Sequence, residues 1–311
     1  MTKYAMKYIF LGSGHFAKIV LAKLIEAKKG PFYVVTEEAR PAGRGKNLKE
    51  TEVMSLAKKK ELKITDKFNP KEIADLKPEL LLVSDFGKIL PKELTAQKDF
   101  KTINIHPSFL PKYRGPSPIQ TSILNGDKES GATIIELDQK IDHGPIVACK
   151  KLAVKGESYA KLLRRLASLG AKLFLDFVPA YLSGKIKLQA QNEKEALMTK
   201  KINKEDGKID FSKEAGEIEK MIRAFEGWPG AYCSWDNRKK QLKIKSGIAS
   251  DELPQPPFLA GTVFKTKNGG LAVACGQGSL VIEKLQLEGK NEMKASEFLN
   301  GYSDIIGGTL R

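Results

Sequence analysis

Residues 7–29, KYIFLGSGHFAKIVLAKLIEAKK, change their hydrophobic rhythm halfway along. Within KYIFLG (7–12), the residues after Lys7 form an unbroken apolar run of the kind a strand needs when both its faces are covered. From 15 to 29 the apolar side chains recur at three- and four-residue intervals, as on an amphipathic helix. Gly12 and Gly14 allow the strand to turn straight into the helix. A strand feeding a helix this closely is the opening of a βαβ unit.

The alternation continues outward from there. FYVVT (32–36), ELLLVSD (79–85), KTINIH (101–106) and ATIIELD (132–138) read as strands, while EVMSLAKKK (52–60) and SPIQTSILNG (117–126) read as helices. The fold class is therefore expected to be α/β, with a Rossmann-like, mostly parallel sheet whose ligands sit beyond the carboxyl ends of its strands. ESYAKLLRRLASLGAKLFLDFVPAYLSG (157–184) predicts a long helix ending at Gly184 and closing a first domain over residues 1–184. The polar, basic stretch 185–206 reads as a linker. Beyond it, a helix at 212–225 precedes short strands at 230–236, 241–247, 259–266, 271–276 and 279–287, so residues 207–311 are expected to form a small β-barrel of the OB-like kind.

Composition excludes several classes. With 41% hydrophobic and 29% charged residues in 311, the chain is globular and long enough for two cores. Cys149, Cys233 and Cys275 show no paired spacing, which argues against a disulfide framework or zinc site and suits a reducing cytoplasm. No apolar run reaches the length of a membrane span. The net charge of +16 attracts polyanions. Residues 1–206 carry 38 Lys+Arg against 24 Asp+Glu, and residues 207–311 carry 15 against 13, so a polyanion has to engage the N-terminal part.

Two patterns compete for the site. Gly12-Ser-Gly-His-Phe-Ala17, with Glu37 and Glu38 after the second strand, matches the GxGxxA dinucleotide fingerprint. A nicotinamide reading, however, leaves NIHPSFLPKYRG (104–115) without a purpose. There Asn104 and His106 share one face of a strand while Ile103 and Ile105 face a core, and Pro107 places the pair at the strand's carboxyl end. Asp142, in the turn after ATIIELDQK, puts a carboxylate at the same edge, where it orients a histidine and favours its protonated form. An amide, an imidazole and a carboxylate with no serine or cysteine nucleophile suit direct acyl transfer between two substrates, the amide holding the developing oxyanion.

NIHPSFLPKYRG, the downstream LDQKIDHGPI (137–146) and FGKILP (86–91) together resemble the folate-dependent formyltransferases. The likeness follows the branch of that family acting on initiator tRNA through ARPAGRGKNL (39–48), IRAFEGWPGAY (222–232) and LQLEGKNEMKASEFLNG (285–301). Phe86, Phe109, His15 and Lys140 depart from the family pattern; Asn104, His106 and Asp142 do not. The resemblance implies 10-formyltetrahydrofolate as co-substrate without a metal, methionyl initiator tRNA as acceptor, and a monomer not attached to membranes. It implies a folate pocket lined by Ser108, Phe109, Leu110, Pro111, Gly87, Ile89 and Leu90. It also implies tRNA contacts from Arg40, Arg44 and Lys46 in the basic loop and from Lys243 in the second domain, where Lys243 and Lys245 share a strand face. Formylation of an amino-sugar nucleotide is the alternative within this family; a nucleotide-binding oxidoreductase and a non-catalytic RNA-binding protein are the alternatives outside it.

Overall fold

The computed structural model describes residues 6–42 and 47–311. The chain forms two compact units. One takes in the chain to Pro118 together with Lys128–Val154 and Lys161–Thr199; the other is made of Ile119–Asp127, Lys155–Ala160 and Lys200–Arg311.

In chain order the elements to the end of the long helix are β1 (Tyr8–Gly12), α1 (His15–Glu26), β2 (Tyr33–Val35), β3 (Arg40–Ala42), β4 (Asn47–Lys49), α2 (Glu52–Lys59), β5 (Ile64–Thr65), α3 (Pro70–Asp75), β6 (Leu80–Ser84), α4 (Lys92–Thr95), β7 (Lys101–His106), α5 (Pro118–Leu124), β8 (Glu129–Glu136), β9 (Ile146–Ala153) and α6 (Tyr159–Leu182). Seven strands make one sheet in the order β5-β2-β1-β6-β7-β8-β9. Pairing is parallel from β5 to β7 and antiparallel from β7 to β9. The sheet is the Rossmann-like, mostly parallel one that the alternation at its start predicts. Strand order reverses beside β1, so the crevice lies at the carboxyl ends of β1, β6 and β7.

Every residue of β1 and β6 is buried, which explains their unbroken apolar runs. Gly12 is required by packing, because a Cβ there would lie 2.7 Å from the Ala17 Cβ and from the Ser84 carbonyl. Gly170 of α6 has the same role: a Cβ would come within 2.4 Å of Ile105 Cγ2, behind the site. The polar stretch after α6 is built into this unit as far as Thr199. Gln189 pairs with Ile146, Arg114 N donates to the Leu197 carbonyl at 2.8 Å, and Thr199 N donates to the Arg114 carbonyl at 2.7 Å.

The second unit adds α7 (Ala215–Ala224), β10 (Ala231–Trp235), β11 (Lys240–Ser250), β12 (Val263–Lys265), β13 (Leu271–Ala274), β14 (Ser279–Leu287), β15 (Met293–Lys294) and α8 (Ala295–Gly301). Its antiparallel sheet runs β10-β11-β14-β13-β12, with β15 on β14. Strict alternation in β10 buries Ala231, Cys233 and Trp235. Trp235 packs with Phe298 and Tyr302, whose rings stack at 4.7 Å. Among the described residues no helix is long and apolar enough to cross a membrane, and all three cysteines are free thiols.

Candidate active site

β7 carries the central pair. Ile103 and Ile105 are buried in the core, while Asn104 is half-buried and His106 retains 4% of its surface. Asp142 arrives from the loop joining β8 to β9. Its Oδ1 accepts from Asn104 Nδ2 at 3.3 Å and its Oδ2 accepts from Gly115 N at 2.9 Å. The same Oδ2 faces His106 Nδ1 at 3.5 Å.

The imidazole tautomer follows from its other nitrogen. His106 Nε2 lies 2.8 Å from the Tyr113 carbonyl, an acceptor only, so Nε2 carries a hydrogen and Nδ1 is turned toward Asp142. At 3.5 Å the Nδ1–Oδ2 distance is a charge–imidazole contact longer than a direct hydrogen bond. Sequence spacing predicts that Asn104, His106 and Asp142 meet at one strand edge, and the structure brings them together. Such a set offers an amide donor, an imidazole whose Nδ1 donates when the ring is doubly protonated, and a carboxylate beside them, which is the equipment for stabilising an oxyanion and moving a proton.

The loop leaving β7 is fastened internally. Ser108 Oγ donates to the Lys112 carbonyl at 2.7 Å, Leu110 N donates to Thr133 Oγ1, and that hydroxyl donates to the Ser108 carbonyl. Ser108 and Leu110 are buried, Leu110 against Ile135 and Ile146. Phe109 and Pro111 are half-buried; Phe109 lies against Gly131 of β8 with Lys151 over its ring. At the end of β6, Leu90 is buried, Gly87 is open and Ile89 is 89% exposed. The expected pocket residues thus stand in two groups at the ends of β6 and β7, and the Ser108 hydroxyl is committed to its own loop.

The glycine turn at β1 is occupied by the protein itself. Ser13 N and Gly14 N donate to the Asp85 carbonyl, and a Cβ on Gly14 would lie 2.0 Å from Asp85 Oδ2. Helix α1 has no side-chain cap from its own N-cap residue; the amides of Phe16 and Ala17 act on the Asp85 carboxylate instead. Although the residue as a whole is exposed, its carboxyl is desolvated against the turn. That loss of water, with Glu37 and Glu52 nearby, pushes its pKa up to about 6 against the two amides. An acid therefore fills the place where a dinucleotide's pyrophosphate would sit.

Of the basic residues expected to meet tRNA, Arg40 is exposed and pairs with Glu37 at 2.5 Å. Arg44 and Lys46 lie outside the described residues. Lys243 of β11 is half-buried, lies opposite Tyr232 and Gln286, and with Lys245 and Lys284 lines a cleft of about 280 Å³ that also holds Glu226 and Glu292. No group of His, Cys, Asp and Glu among the described residues is arranged to hold a metal ion.

A sheet of this topology with an amide, an imidazole and a carboxylate at one strand end, followed by an antiparallel second unit, defines a formyl transferase. The formyl transferase family model matches residues 6–178, and the model of that family's C-terminal domain matches residues 201–303. Methionyl-tRNA formyltransferases of Myxococcus xanthus and Roseiflexus castenholzii are 36% and 38% identical to it, covering 95% and 98% of both chains respectively. The chain belongs to the methionyl-tRNA formyltransferase family. Its fold is also similar to that of HypX from Aquifex aeolicus, solved in complex with tetrahydrofolic acid, at 18% identity and a TM-score of 0.67; the match covers 97% of this chain and 48% of HypX.

Proposed function

We propose that this protein transfers the formyl group of 10-formyltetrahydrofolate to the α-amine of methionine esterified to initiator tRNA. One observation carries the reading: Asn104, His106 and Asp142 converge at the end of β7 in a chain that matches methionyl-tRNA formyltransferases along nearly its whole length. HypX, with the same fold, binds tetrahydrofolic acid, which supports a folate donor.

The folate supplies an activated formyl group on nitrogen. Free α-amines have pKa values of about 7.7–8.0, and esterification lowers them, so the acceptor amine is largely nucleophilic near neutrality without a strong base. Attack on the formyl carbon builds negative charge on its oxygen. Asn104 Nδ2 and the Nδ1 hydrogen of a doubly protonated His106, whose Nε2 hydrogen stays on the Tyr113 carbonyl, stabilise that charge, and Asp142 takes the amine's proton and passes it through water toward the departing nitrogen. The open ends of β6 and β7, with Gly87, Ile89 and Pro111 at the surface and Ser108, Phe109, Leu110 and Leu90 behind or beside them, form the folate wall. Arg40, Arg44, Lys46 and Lys243 meet the tRNA phosphates. The protein works as a cytoplasmic monomer.

Formyl transfer from 10-formyltetrahydrofolate tests the reading against two acceptors, charged initiator tRNA and an amino-sugar nucleotide. Product on the tRNA, with an apparent affinity falling steeply as salt rises, is expected; product on the sugar alone overturns the assignment of acceptor.

A further inference from the structure

We propose that Gln191 is a positioning residue for Asp142, an inference that rests on the formyl-transfer reading above. Gln191 is buried and lies beyond the long helix, in a stretch whose composition is that of a linker. Its Nε2 donates to the carbonyls of Asp142 and Gly144, each at 2.8 Å. Its Oε1 accepts from Nε and Nη2 of Arg114 at 3.0 and 2.9 Å. The orientation of the amide is forced, since carbonyls only accept and a guanidinium only donates.

These bonds act on a turn under strain. Asp142 has φ 47°, a left-handed conformation that persists in a non-glycine residue only where the surroundings hold it. On one side the turn is closed by packing: a Cβ on Gly144 would lie 1.8 Å from the Glu136 carbonyl. On the other side Gln191 grips both carbonyls that flank His143. Arg114, itself buried, anchors Gln191 and is neutralised by two contacts to Glu193, from Nη1 at 3.0 Å and from Nη2 at 2.6 Å.

The same clip reaches the other half of the site. Arg114 stands between Tyr113, whose carbonyl fixes His106 Nε2, and Gly115, whose amide holds Asp142 Oδ2. One glutamine thus joins the loop that orients the imidazole to the loop that presents the carboxylate. It touches no reacting atom in this arrangement; it sets where Asp142 stands. Displacing a catalytic group by about 1 Å costs on the order of 10²-fold in rate.

The test uses the full chain with 10-formyltetrahydrofolate and charged initiator tRNA. Gln191→Ala removes the clip; Gln191→Glu keeps an acceptor for Arg114 but offers the two carbonyls no donors. Both are expected to lose about 10²-fold in kcat with KM for either substrate within about threefold of the wild type. In an Asp142→Ala background, Gln191→Ala is expected to cause no further loss, because it acts through the carboxylate already removed. Thermal melts establish that each variant is folded. A Gln191→Glu enzyme of near-wild-type kcat, or losses that multiply in the double variant, would overturn the proposal by reducing Gln191 to an anchor for Arg114. Failure of the wild type to formylate tRNA would strike at the reading of function, whereas these variants strike at Gln191 alone.

Discussion

Replacing Asn104 separates what the amide does for catalysis from what it does for the fold. Among the described residues the side chain's hydrogen bond is the 3.3 Å contact to Asp142, long for such a bond, and the side chain is half-buried. Removing it in Asn104→Ala should cost at most about 0.5–1.5 kcal/mol of stability, a Tm change of about 2–4 °C per kcal/mol for a unit of this size. Loss of an oxyanion donor costs about 10²–10³ in kcat, or about 2.7–4 kcal/mol. The kinetic penalty therefore exceeds the structural one by at least about 1 kcal/mol if the amide faces the developing charge. Asn104→Asp is a harsher test: two carboxylates 3.3 Å apart repel by roughly 5 kcal/mol at an effective dielectric of about 20. The pair would share one proton near neutrality, leaving no donor for the oxyanion. Single-turnover formylation of charged tRNA, with a thermal melt of each variant, reads both quantities. An Asn104→Ala enzyme within a few-fold of wild-type turnover, or an Asn104→Asp enzyme of full activity at pH 7, would refute the assignment.

Asp85 provides a pH-dependent expectation. Its folded pKa is raised to about 6 from an ordinary value of 3.8, so the folded protein holds the proton more tightly than the unfolded chain does. The stabilisation this gives is complete below about pH 3.8 and lost as pH rises through 6. Asp85→Asn should consequently raise Tm above pH 6 and lose that advantage as pH falls toward 4; a pH-independent difference in melting would contradict the assignment. Gly144→Ala should cost more than about 10²-fold in kcat, because the added methyl meets the Glu136 carbonyl and the Asp142 turn has to move. Steady-state kinetics of the folded variant check this, and native turnover would show that the turn tolerates displacement.

The legible parts of the sequence are those with strong local rhythm. Buried parallel strands must be apolar throughout, so β1 and β6 stand out, and alternating burial marks β10. Strand β9 does not, because Ile146, Val147 and Ala148 are buried while Lys150 and Lys151 of the same strand reach the surface at the sheet edge. Asn104 and His106 are legible because period two and a terminating proline define both face and position. Asp142 is legible only as an acid near a turn; its arrival opposite β7 depends on β8 and β9 reversing direction, which no local pattern encodes. Arg114 and Gln191 are harder still. Tyr113-Arg114-Gly115 reads as the tail of a motif, and a lone glutamine in a polar stretch carries no periodic signal at all. Their bonds span 77 residues of chain, and only the completed fold brings them within reach.

The turn at Gly12–Gly14 shows why a fingerprint read alone misleads. A helix amino terminus at the end of a first strand attracts an anion by virtue of its free amides and dipole. In nucleotide-binding sheets the anion comes from the ligand. Here it comes from Asp85, the residue after Ser84, whose carbonyl packs against Gly12, and α1 is capped without help from outside. The glycines then serve close packing of β1 on α1 and on β6, a requirement independent of what the protein binds. With the first strand's end closed by an acid, the polar side chains left at the carboxyl edge of the parallel strands include Asn104 and His106 of β7. On the proposed mechanism the chemistry falls to those two residues, and the left-handed turn at Asp142, held from both sides, is the element on which their alignment with the carboxylate depends.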